Sequence, residues 1–132
     1  MPLLHIGSDV EFISFSMASP FKDEYTQWFK TKVCIQVESF RGSFQSVLDQ
    51  QALLHFQKGL QLLYQNLQGS AELAPIEEQI TLKLLGNGRG GITVSGAAWS
   101  KARYGNHLEF SFEMDQTFLP SVLAQLDAII PS

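Results

Sequence analysis

The chain has 132 residues, 45% hydrophobic and 17% charged, with a formal charge of −4 and a single cysteine, Cys34. Roughly two-thirds of the surface of such a chain is buried on folding, enough for one core and too little for two. A single domain over residues 1–132 is therefore expected, and an intrinsically disordered chain is excluded. The acid excess argues against a nucleic-acid backbone as the main partner. One cysteine excludes an internal disulfide framework and a multi-cysteine metal site. The opening Met1-Pro2-Leu3-Leu4-His5-Ile6 has no cationic segment, and no apolar run approaches the ~18 residues that cross a bilayer. A soluble, cytoplasmic protein is the expectation.

In chain order, apolar residues at Val10 and Phe12 change parity to Ile13, Phe15 and Met17, which reads as a strand with a bulge or with both faces covered. Residues 18–30 lack a period of two and read as a loop or a short turn of helix. Val33, Ile35 and Val37 alternate with polar neighbours as a half-buried strand. Phe40 and Phe44 flank Gly42 in a third strand, joined to the second by a tight turn near Ser39. Asp49 is placed to cap a helix over about 50–68, whose apolar stripe is Leu53, Phe56, Leu60, Leu63 and Leu67. Gly69 suits the left-handed residue that ends it. Beyond a linker around Pro75, Ile80, Leu82 and Leu84 form a strand. A glycine-rich turn at 86–91 then leads to Ile92 and Val94. A second turn with Tyr104-Gly105-Asn106 precedes the alternation of Leu108, Phe110, Phe112 and Met114. A last helix carries Leu119, Val122, Leu123, Leu126, Ile129 and Ile130, with Asp115 or Thr117 as cap and Pro120 in its first turn. The order βββα–βββα implies an α+β fold: one curved antiparallel sheet of about six strands, with two helices packed on one face.

Several spellings of chemistry fail on physical grounds. Gly86, Gly88 and Gly91 match G-x-G-x-x-G, but a strand follows them where a dinucleotide site needs a helix N-terminus. Glu109 and Glu113 share a strand face at a separation of ~13 Å, too far for a glycosidase pair. Cys34 lies mid-strand, and His5, His55 and His107 have no spacing that joins it or forms a metal set. No catalytic residue, metal or cofactor is assigned. Two features point instead to a protein partner. The segment 21–29 sets Phe21, Tyr25, Trp28 and Phe29 among Lys22, Asp23 and Glu24, the composition of an interface hot spot, although such aromatics also plug sheet ends. The long helix presents glutamines (Gln50, Gln51, Gln57, Gln61, Gln65 and Gln68), a face a partner could cover at little desolvation cost; helix propensity explains it almost as well.

The segments Gly42-Ser43-Phe44, Leu63–Glu72, Gly91–Gly96 and Leu108–Pro120 resemble the WapI-type immunity proteins of bacterial polymorphic-toxin systems, in order and spacing from about Val10 to Ile130. Asp115-Gln116-Thr117-Phe118-Leu119-Pro120 is the most specific stretch, and physically it is a strand-to-helix junction. The resemblance implies a non-enzymatic protein that binds a cognate toxin domain, such as a nuclease with a basic cleft, and blocks its action. An acidic inhibitor gains on-rate and specificity from that contrast. The charge is segregated. Residues 83–103 hold four cations and no acid, and residues 104–132 hold four acids and no lysine or arginine. The net −4 therefore sits in the first 82 residues. Asp23, Glu24, Tyr25, Trp28, Glu109 and Glu113 are the candidate partner-binding residues, unless Lys83 or Lys101 pairs across to Glu109 or Glu113. Two alternatives are a ligand-binding or enzymatic domain with a pocket between sheet and helix, and a general interaction module.

Overall fold

The computed structural model describes residues 3–101 and 104–130. It is α+β with antiparallel sheets, as the element order implied. Among the described residues, however, there are nine strands in two sheets of five and four, not about six in one curved sheet.

The first sheet begins with β1 (Leu3–Gly7), which turns through Ser8–Glu11 into β2 (Phe12–Met17). Ser8 holds the turn. Its N–H donates to the Glu11 carbonyl at 2.9 Å, and its hydroxyl accepts from the N–H groups of Val10 and Glu11 at 3.2 and 3.1 Å. The change of parity is thus no bulge: Val10 belongs to the turn, and Phe12 to the outer face, where its ring lies 4.8 Å from that of His5. After Met17, Ala18-Ser19-Pro20 interrupts the strand, since Pro20 has no N–H for the ladder. Pairing resumes with β3 (Phe21–Lys22), opposite Trp28 and Gln27 at the start of β4 (Gln27–Val37). Residues 18–30 therefore form a strand hairpin, not a loop or helical turn. The opposite edge of β4 pairs with β5 (Phe40–Asp49) through the two-residue turn Glu38-Ser39, close to where it was expected. Glu38 adopts φ 45° there.

Asp49 ends β5 and caps α1 (Gln50–Asn66), with Oδ2 accepting from the Ala52 N–H at 3.1 Å. Its Oδ1 accepts from the Ile76 N–H at 2.8 Å, so one buried carboxylate secures the helix start and the distant 74–79 connection. The helix ends at Leu67 with φ 58°, two residues before Gly69, because β6 (Gln68–Leu73) starts at once. The Leu67 N–H donates to Leu63 O at 2.7 Å, and the Gly88 N–H donates to Leu67 O at 2.8 Å. The second sheet is the meander β6, β7 (Ile80–Asn87), β8 (Gly91–Lys101) and β9 (Tyr104–Asp115). Asp115 accepts from the Thr117 N–H, capping the 3-10 turn Gln116–Phe118. α2 (Leu119–Ile129) follows, with Pro120 in its first turn.

One contiguous core draws on both sheets and both helices. α2 lies along β1, where its Gln125 Oε1 accepts from the His5 N–H at 2.7 Å, and Gln57 of α1 donates to Asp127 of α2 at 2.6 Å. The free edge of β1 is thereby covered, which removes a template for strand addition.

Candidate partner-binding surfaces

The hairpin tip is built around Asp23. Its Oδ1 accepts from the backbone N–H groups of Tyr25 and Thr26 at 3.0 and 2.7 Å, and its Oδ2 accepts from Trp28 Nε1–H at 2.9 Å. The Trp28 hydrogen bond, then those of Tyr25 and Thr26, hold the Asp23 carboxyl below the usual carboxylate range. Tyr25 projects at the apex, 85% exposed, beside exposed Glu24. Adjacent residues divide: Phe29 points into the core, while Trp28 is half-buried on the outer face. Asp23, Glu24, Tyr25 and Trp28 are therefore brought together, in a turn whose shape its own side chains maintain.

Glu109 and Glu113 both face outward on β9, opposite Ala97 and Thr93 of β8. Thr93 Oγ1 donates to both Glu113 carboxylate oxygens at 3.1 Å. Lys83 lies on β7, opposite Glu72 and Ser95, so β8 intervenes at two strand spacings, ~10 Å, between Lys83 and β9. Lys101 stands opposite Tyr104 and places its Nζ 5.6 Å from that ring centroid. Neither lysine faces Glu109 or Glu113 across a strand pair, so the acidic face of β9 is not cancelled in that way. Arg103, the fourth cation of the basic block, lies outside the described residues. The hairpin tip and the β9 carboxylates form two separate surfaces. Trp28 starts the length of β4 paired with β5, and Val37, nine residues and ~30 Å further on, ends it at the β9 side.

The rejected chemistry takes its plainer form. Gly88 and Gly90 adopt φ 83° and 98° in the β7–β8 hairpin, and Asn87 Oδ1 accepts from the N–H groups of Arg89 and Gly91 at 2.7 and 3.1 Å. Cys34 shares an outward row with Ser14 and His5, but His5 is two strands away at ~10 Å and its Nε2 lies 2.9 Å from Ser8 O. His107 stacks on Trp99, with centroids 4.0 Å apart. The contact between helices and sheets is filled by Leu53, Phe56, Leu60 and Leu126, all inaccessible to solvent. A shallow depression of about 530 Å³ lies on the outer face of the second sheet instead, over Thr81, Ser95 and Ala97. Of the helix glutamines, Gln57 is used internally, against Asp127.

Sequence reading missed Glu11, Glu38 and Phe40, which line a groove together with Glu109 where the sheets meet. Nothing in the spacing of positions 11, 38 and 109 signals this. It arises only where β9 meets the end of β4 and the β1–β2 turn.

Comparison with the curated proteins finds none that matches. The model of the Immunity protein WapI-like family matches residues 5–132, from β1 to beyond α2. The chain belongs to the WapI-like immunity protein family.

Proposed function

We propose that the chain acts as one cytoplasmic domain that binds a cognate toxin domain and neutralises it by covering its active site or the approach to it, with no chemistry of its own. The family match across nearly the whole chain carries this reading. A toxin with a basic cleft is the partner that the acidic outward positions suit, because opposite fields raise the encounter rate and select the partner. The hairpin tip (Asp23, Glu24, Tyr25 and Trp28) and the β9 face (Glu109 and Glu113) are the proposed contact surfaces. Among the described residues no helix is long and apolar enough to cross a membrane.

Co-expression with the toxin domain encoded beside this gene tests the reading. A stable complex and an inactive toxin are expected, and the double variant Glu109→Lys/Glu113→Lys should bind roughly tenfold or more weakly while staying folded. Two proteins that purify separately, with the toxin still active, would defeat the proposal and favour a general interaction module.

A further inference from the structure

At the junction of the two sheets lies a groove of about 330 Å³. Its floor is apolar, made by the buried Val37 and Phe110 and the half-buried Leu108. Phe40 stands at the rim. Its register opposite Val37 puts it on the core side of the first sheet, yet it is 66% exposed. Three carboxylates complete the lining, Glu11 from the β1–β2 turn, Glu38 from the β4–β5 turn and Glu109 from β9. Among the described residues no cation lines the groove, and none of these carboxylates has a hydrogen-bond or ionic partner. The rim is held in place before any partner arrives. Ser8 ties its own turn, and Gln36 Nε2 donates to Val10 O at 3.1 Å. Val10 itself is 69% exposed beside the groove.

An apolar floor, an uncovered aromatic ring and three carboxylates without a partner among the described residues call for an occupant with a cationic head on an apolar stem. Arginine meets that need better than lysine. Its planar guanidinium stacks on a ring face and offers five donors to carboxylates at fixed angles, and it is the more weakly hydrated of the two. A phosphate backbone would meet three like charges. We infer that the groove receives an arginine-bearing segment of the protein partner, with the guanidinium between Phe40 and the carboxylates. This rests on the immunity reading for the identity of the partner, while the chemistry of the occupant follows from the groove alone.

Two probes separate the two claims: the toxin domain, and the peptide acetyl-Gly-Arg-Leu-Arg-Gly-amide followed by NMR. Phe40→Ala should weaken toxin binding about 30-fold, the change that defines a hot spot. The triple variant Glu11→Gln/Glu38→Gln/Glu109→Gln should slow association and flatten its salt dependence. Both variants should unfold at the wild-type temperature within a few degrees, as exposed positions do. The peptide should shift the resonances of Glu38, Phe40 and Glu109, and Phe40→Ala should abolish those shifts. Toxin binding that neither variant weakens overturns the groove and leaves the immunity reading standing. A wild-type chain that ignores the toxin yet binds the peptide in the groove overturns the immunity reading alone. Peptide shifts located elsewhere overturn the groove, as does a wild-type dimer that Phe40→Ala converts to monomer, which would assign this face to a second copy.

Discussion

Asp23 shows how a single exposed side chain can organise a surface. Its carboxylate accepts three hydrogen bonds within five residues, including one from the Trp28 indole, and its pKa is lowered as a result. A lowered folded-state value means that the ionised form is favoured by folding. The contribution is complete above the ordinary Asp range of roughly 3.9 and is lost as pH falls through the lowered value. The Trp28 Nε1–H resonance should follow this titration, with a midpoint below that range, and Asp23→Ala should abolish it with global unfolding unchanged. A midpoint at or above the ordinary range would contradict the hydrogen-bond assignment. Asp115 titrates in the same direction, its carboxyl held down by the Thr117 hydroxyl and then by the Thr117 N–H. The Asp115 cap was legible in the sequence, whereas the Asp23 cluster was not. Asp23 read as one more charge among loop aromatics, because the hairpin that brings Trp28 to it depends on the interruption at Pro20.

Among elements, α1 and the long strands were the most legible, because each buries one face and exposes the other. Leu53, Phe56, Leu60 and Leu63 are buried on α1, and Phe110, Phe112 and Met114 on β9, as their periods of 3.6 and 2 require. The shorter strands carried too little pattern. β6 turns only Ala71 and Leu73 inward and includes Gly69 at φ 102°, while β3 has two residues. The division into two sheets was hidden for another reason: register between strands is a tertiary property, and nothing local marks β6 as the start of a new sheet. Asp49 joins these elements physically. Asp49→Ala removes the helix cap, worth about 1 kcal/mol, and leaves the Ile76 N–H without its acceptor, worth about as much again. A loss of about 2 kcal/mol should lower the unfolding midpoint by roughly 6–10 °C in a calorimetric scan. A fall of less than about 2 °C would show that another acceptor replaces Asp49.

Over the whole molecule, each sheet is assembled from one stretch of chain, residues 3–49 and 68–115, so most strand pairing is local. The contact between α2 and β1 is the long-range closure, with Gln125 reaching back 120 positions to the His5 N–H. Local pairings form before a contact of such separation. Gln125→Ala should therefore accelerate unfolding about fivefold, the equivalent of ~1 kcal/mol for one hydrogen bond, and leave the refolding rate unchanged. Stopped-flow measurements with denaturant check this, and a slowed refolding limb would place α2 docking in the transition state instead.

The Ser8–Glu11 turn, the Glu38-Ser39 turn and the Asp23–Thr26 tip lie between strands, and Glu109 and Glu113 occupy the solvent side of β9. None of Glu11, Glu24, Tyr25, Glu38, Glu109 or Glu113 belongs to the buried core. Surface substitutions away from caps and packed contacts usually change stability by no more than about 0.5 kcal/mol. These six rim positions can therefore change at little cost to the fold, whereas Asp23 shapes its own turn, and Val37 and Phe110 belong to the core. On the proposed reading, selection can rewrite partner specificity at these rim positions one residue at a time, with every intermediate still folded.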